Sequence, residues 1–171
     1  MLKIALVALA ITASAISMAN AKTAGAELKG LDGKTLGNVA FQSTASGMLV
    51  LTIDLKGLPA GPHAFHVHET GTCDASDGFK SAGGHLAAGK AHGVGHENGP
   101  HPGDFPNIHV PEAGAIKVEY FTRDLTLDDS ETGVFDADGA AVVMHDGPDD
   151  YVSQPAGAAG KRIVCGVIVR K

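Results

Sequence analysis

Seven of the nine histidines stand between Gly61 and Asp104, and from Thr70 to Pro111 the chain shows almost no apolar periodicity. Inside a compact domain, a stretch of that length without secondary structure of its own is either functional or disordered. It must be carried by a scaffold that the rest of the chain builds. His63, His66, His68, His85, His92, His96 and His101 fall in it, His109 follows closely, and His145 stands alone further on. Imidazole is the commonest metal ligand, and the spacings are structured, so the stretch is read as functional.

The flanking segments read as β-structure. Leu49, Leu51, Ile53 and Leu55 alternate with Val50, Thr52, Asp54 and Lys56, the pattern of a half-buried strand over Met48–Leu55. Leu36–Thr44, a short Phe65–Glu69, Ile116–Thr122, Ala141–His145 and Ile163–Val169 are further strand candidates, with Ala26–Leu28 leading in. Asp32-Gly33, Ala45-Ser46-Gly47 and Asp138-Gly139 supply turns. Pro59 and Pro62 are expected to end a strand run, since proline cannot donate to a ladder. A second loop, Asp146–Lys161, is rich in Gly, Ala and Asp, and no segment reads as a helix. Seven or eight short strands with two long loops predict an all-β antiparallel sandwich or barrel.

At 171 residues the chain is most simply one domain. A formal charge of −6 argues against a nucleic-acid partner, which needs a basic face. The first residues read as an address and not as fold: Lys3 precedes an apolar run from Ile4 to about Ile16, and Ala19-Asn20-Ala21 fits an A-x-A cleavage site. The run is too short to span a bilayer. Residues 1–21 are thus expected to be a secretory signal peptide and 22–171 the mature domain, with no membrane partner after cleavage. Removing Lys3 takes the formal charge to −6 − 1 = −7. In an exported chain, Cys73 and Cys165 most simply form a disulfide, with service as thiolate ligands the alternative.

His66 and His68 are two apart on a strand, so their rings share one face while Phe65 and Val67 take the other. Such a pair can chelate one ion. His85 follows Gly83-Gly84, where the backbone permits close approach, and His101-Pro-Gly-Asp104 puts an imidazole and a carboxylate on one tight turn. That mixture suits zinc or a similar divalent ion. His96-Glu97 is not the start of an HExxH helix: His96 and His101 are five apart, and Gly99-Pro100 forbids the helix. Glu97 is read as a solvated acid. No nucleophile elbow, P-loop or dinucleotide fingerprint is present.

The stretches HAFHVHETGTC (63–73), SAGGHL (81–86), HPGD (101–104), VVMHDGPDDY (142–151) and GKRIVCGVI (160–168) together resemble copper–zinc superoxide dismutases of the exported bacterial type. The resemblance covers most of the mature chain. It implies a Greek-key β-fold, a periplasmic location, and copper and zinc as cofactors. By residue, it implies copper on His66, His68, His85 and His145, and zinc on His85, His92, His101 and Asp104, with His85 bridging the two. His92 is chosen over His96 because it precedes Gly and lies nine residues before His101, a spacing similar to the family's. Asp149 resembles the carboxylate linking a copper histidine to a zinc histidine, and Arg162 the active-site arginine that orients the substrate anion. Cys73 and Cys165 match the family's disulfide. His63 matches a structural histidine, and His109 matches no site residue.

The implied reaction is disproportionation of superoxide by copper cycling between Cu(II) and Cu(I), with His85 leaving copper and taking a proton on reduction. The loop Asp146–Gly160 holds three aspartates and no Lys or Arg. Attraction of the anion therefore falls to copper and Arg162, helped by Lys80, Lys90 or Lys161. Ala64 and Met144 stand where the family commonly has Gly and an aliphatic residue. The rival function is a non-catalytic periplasmic copper/zinc-binding protein. Against it, the chain keeps the whole copper histidine set and the arginine. Bacterial relatives differ in assembly, so a homodimer is compatible with the sequence.

Overall fold

The computed structural model describes residues 21–171. The expected leader, apart from Ala21, lies outside them. Nine strands form one antiparallel sheet: β1 (Thr23–Gly30), β2 (Thr35–Ser43), β3 (Leu49–Lys56), β4 (Gly61–His68), β5 (Asp104–Val110), β6 (Ala115–Thr122), β7 (Ala141–His145), β8 (Arg162–Val167) and the two-residue β9 (Val169–Arg170). The spatial order is β5-β4-β7-β8-β1-β2-β3-β6, with β9 paired to β1. β5 and β6, the two ends of that order, approach each other through a hydrogen bond from the Tyr120 hydroxyl to Pro106 O. The result is a nearly closed eight-stranded Greek-key barrel, as the strand pattern predicted.

Period-two alternation places the core. Along β3, Leu49, Leu51, Ile53 and Leu55 are buried while Asp54 and Lys56 are exposed. They pack inside the barrel with Leu28, Phe41, Phe65, Val67, Val142 and Met144. Fully burying each such side chain stabilises by roughly 1.5–3 kcal/mol. The Asp32-Gly33 and Ala45-Ser46-Gly47 segments turn as expected, with Gly33 and Gly47 at φ +78° and +77°.

Two differences from the sequence reading matter. The long loop carries a strand, β5, that the sequence did not reveal. Strand β4 also starts earlier than expected, at Gly61, and takes in Pro62. The proline is tolerated because this end of β4 has one neighbour: Gly61–His63 pairs with β5 alone, and β7 joins only from Phe65. No α-helix occurs among the described residues, only two 3-10 turns, Ala75–Asp77 and Lys80–Ala82.

Strand β7 is buried along its whole length. Val142 and Met144 belong to the barrel core, whereas Ala141 and Val143 pack with Phe79, Ala82 and Cys165 in a second cluster. The long loop covers that outer face, and a disulfide between Cys73 and Cys165 ties it down, Cα to Cα 5.7 Å. The same outer face carries the site.

Candidate metal centre

β4 and β7 pair with His66 opposite Val143 and His68 opposite Ala141. His66 and His68 therefore leave the barrel on the same side and end beneath the loop. His145 closes β7. There β8 holds one residue more than its partner, so that Arg162 comes opposite His145. A second irregularity falls between His63 and Phe65, where β5 carries the extra residue. Bulges of this kind re-aim side chains beside functional sites.

The structure brings His66, His68, His85 and His145 together, one ring nitrogen of each lying within 4.8 Å of the others. His66 Nδ1, His68 Nε2, His85 Nε2 and His145 Nε2 are all buried and all without a hydrogen-bond partner. Their opposite nitrogens are committed. His66 Nε2–H donates to Asp149 Oδ2 at 2.8 Å, His68 Nδ1–H to Gly83 O at 3.0 Å, and His145 Nδ1–H to Gly160 O at 3.3 Å. A ring that donates at one nitrogen presents a lone pair at the other. Four buried nitrogens left this way are costly unless an electrophile occupies the space between them.

Burial keeps the His66, His68 and His145 rings neutral. It pushes His66 down to about 4, against the opposing pull of Asp149, and His145 down to about 3, with His66 adding to the effect. His68 is lowered well below its ordinary value, again by burial first. A neutral imidazole is the form that binds a metal.

His85, His92, His101 and Asp104 form a second group, also within 4.8 Å. The Nδ1 atoms of His85, His92 and His101 lie 2.9, 3.1 and 3.1 Å from Asp104 Oδ1, and those of His85 and His101 lie 3.4 Å apart. A tetrahedron with bonds of about 2.0 Å has edges of about 3.3 Å, so these spacings suit a zinc-sized ion. Burial works to raise Asp104. The His85 hydrogen bond, the Gly93 N–H and the other imidazoles outweigh it and hold the carboxyl well below the usual range. His85 belongs to both groups, its Nδ1 in one and its Nε2 in the other.

Asp149 joins the two. Its Oδ2 accepts from His66, and its Oδ1 accepts from His92 Nε2–H at 2.9 Å. Burial again acts to raise it, and these two bonds overcome that and bring it to about 2. Arg162 is fixed by Nη1–H to Phe79 O and Nη2–H to Gly83 O, both 2.7 Å, the latter carbonyl being the one that His68 also uses. It opens on a surface depression of about 530 Å³, also lined by Lys80, Lys161, Leu31, Gly78, Gly160 and Asp77. Lys90 is not among the lining residues. His96, Glu97 and His109 are exposed. His63 is buried and faces two backbone carbonyls, His145 O at 2.7 Å and Pro59 O at 3.0 Å.

The profile of the family described as copper/zinc superoxide dismutase (SODC) matches residues 35–168. The chain belongs to this family. It is 45% identical over 146 residues to Superoxide dismutase [Cu-Zn] 2 of Aquifex aeolicus, covering 84% of each chain. It is 42% identical over 150 residues to Superoxide dismutase [Cu-Zn] of Caulobacter vibrioides, covering 85% of each. Among solved structures, a superoxide dismutase-like protein from Bacillus subtilis superposes with a TM-score of 0.80 at 33% identity, over 85% of this chain and 97% of that one. The dismutase is an oxidoreductase that converts superoxide to O2 and H2O2, with copper and zinc as its metals. Sequence reading missed two residues beside this centre, Asn107 and Gln154, because they touch backbone across the fold and follow no motif.

Proposed function

We propose that His66, His68, His85 and His145 hold copper, that His85, His92, His101 and Asp104 hold zinc, and that His85 is shared. The observation that carries this reading is the set of four partnerless buried nitrogens, each on a ring whose other nitrogen faces a fixed group. When bound, copper supplies the one-electron exchange that oxidises one superoxide to O2 and reduces the next to H2O2, while redox-inert zinc supplies charge to His85.

The chain's own groups bind, orient and supply protons. The Arg162 guanidinium, held on two carbonyls, directs its remaining donor capacity at a small anion. His85 Nε2 is the atom that takes up one proton and passes it to the reduced product, and solvent supplies the second proton that H2O2 requires. Asp149 keeps His66 and His92 in the tautomers that leave their metal-side nitrogens bare. The disulfide anchors the loop whose Phe79 and Gly83 carbonyls hold Arg162.

Export is part of the same proposal. Met1–Ala21 acts as a cleaved signal peptide and the mature enzyme works in the periplasm. β1 begins at Thr23, so cleavage after Ala21 removes nothing from the sheet, and a disulfide suits an oxidising compartment. The mass of the enzyme recovered from a host periplasm tests this, with an N-terminus at Lys22 expected.

Metal analysis and a dismutation assay on wild type and His145→Ala test the centre. Copper and zinc in equal amounts, with activity lost in the variant, are expected. Bound metal without dismutation in the wild type would favour the non-catalytic carrier instead.

A further inference from the structure

Two side-chain amides grip the backbone of two site residues in the same way. Gln154 Oε1 accepts the His92 N–H at 2.9 Å, and Gln154 Nε2–H donates to His92 O at 2.9 Å. Asn107 Oδ1 accepts the Asp149 N–H at 2.8 Å, and Asn107 Nδ2–H donates to Asp149 O at 2.8 Å. Each amide thus satisfies both the donor and the acceptor of a single residue. Holding both groups fixes the peptide planes on either side of that residue, and with them the direction in which its side chain leaves the backbone.

The gripped residues are the two joined by the His92 Nε2–Asp149 Oδ1 hydrogen bond. The connections therefore close a circuit. Asn107 sits on β5, within the sheet, and holds Asp149 in the loop between β7 and β8. Asp149 bonds His92 in the loop between β4 and β5, and Gln154, from the β7–β8 loop, holds His92 from behind. Space around the junction is tight. A Cβ on Gly157, at φ +68°, would collide with both Asp149 Oδ1 and His92 Nε2.

We propose that Gln154 and Asn107 are positioning residues for the metal centre: Gln154 sets the aim of His92, and Asn107 sets the aim of Asp149, and so of His92 and His66 together. The proposal rests on the reading of His92 as a zinc ligand. Neither amide faces a ligand nitrogen, so both act through the residue they hold. They also act unequally. Gln154 touches only the zinc side, whereas Asn107 reaches the copper side too, because Asp149 also accepts from His66. A purely structural role would not produce that difference.

The test uses the holoenzyme and the variants Gln154→Ala, Gln154→Glu, Asn107→Ala and His92→Ala. Three readouts are needed: transfer of zinc to a colorimetric chelator, the visible spectrum with cobalt(II) in place of zinc, and the copper EPR spectrum. Gln154 is exposed, so its replacement leaves the core untouched. Removing an outer hydrogen-bond partner of a metal ligand typically weakens metal binding about 10- to 100-fold. Gln154→Ala is expected to release zinc about tenfold faster, with an altered cobalt spectrum and an unchanged copper EPR signal. Gln154→Glu keeps the acceptor and loses the donor, and should fall between. Asn107→Ala should change all three readouts. If His92→Ala holds zinc as the wild type does, His92 is not a ligand and its assignment falls. If His92→Ala loses zinc while the Gln154 and Asn107 variants match the wild type in release rate and cobalt spectrum, the ligand assignment stands and the positioning role is overturned.

Discussion

His66 and Asp104 face each other directly across the β4–β5 ladder. The row continues, since Val143 faces His66 and Cys165 faces Val143. A proposed zinc ligand, a proposed copper ligand and the anchor of the site loop thus occupy one line across four adjacent strands. Their relative positions follow from backbone pairing.

The end of that row is the disulfide, which closes a separation of 92 residues. Replacing both cysteines by serine should lower unfolding free energy by about 4 to 5 kcal/mol if the chain-entropy account holds. Chemical denaturation of variant and wild type measures this. Dismutation should fall too, because the freed loop carries the Phe79 and Gly83 carbonyls that hold Arg162.

Asp149→Ala would leave two buried imidazole N–H groups without their acceptor, those of His66 and His92. Zinc affinity should drop about 10- to 100-fold, read as the zinc content remaining after dialysis against a graded chelator. Wild-type zinc retention would mean that the bridge does not orient His92.

Lys80, Lys161 and Arg162 line one depression with a single acid, Asp77, while the loop Asp146–Gly160 offers no cation. Reversing both lysines to glutamate should lower kcat/KM about tenfold at low ionic strength. The gap should shrink above about 0.15 M salt, where the screening length is near 8 Å. The wild type should lose rate with added salt less steeply than a relative with lysines in that loop. Stopped-flow decay of superoxide across a salt series decides both points.

In the metal-free protein, His66 and His145 are held neutral by burial, with folded values of about 4 and about 3. The unfolded chain takes its protons near 6.5. Their contribution is therefore complete above about pH 6.5 and is lost as pH falls through the folded values, by on the order of 3 kcal/mol for His66 and on the order of 5 kcal/mol for His145. Melting of chelator-treated protein should fall steadily between pH 6.5 and 4. A flat profile there would show that these rings are not desolvated as the packing implies.

Much of the barrel could be read from β3, whose four buried leucine and isoleucine positions alternate without interruption, and from Ala141–His145, found at the expected limits. Strand β5 could not be read. Its sequence DFPNIHV contains a proline, an extra residue bulges it, and it opens on a site carboxylate, so its apolar positions Phe105, Ile108 and Val110 keep no regular period. The pair His66 and His68 was legible because strand alternation alone puts them on one face. The grips of Asn107 and Gln154 were not. They span 42 and 62 residues and end on backbone groups that every residue possesses, so no residue type announces the partner.

Phe65 and Val67 fill the barrel while His66 and His68 leave it. One residue added or deleted just ahead of those four positions would exchange the two sets, turning imidazoles into the apolar interior and an aromatic ring toward the site loop. The enzyme has no half-measure there: a frame error in β4 erases the fold's filling and two proposed metal ligands in the same event. A melting curve would then be as good a reporter of that segment's integrity as any assay of turnover.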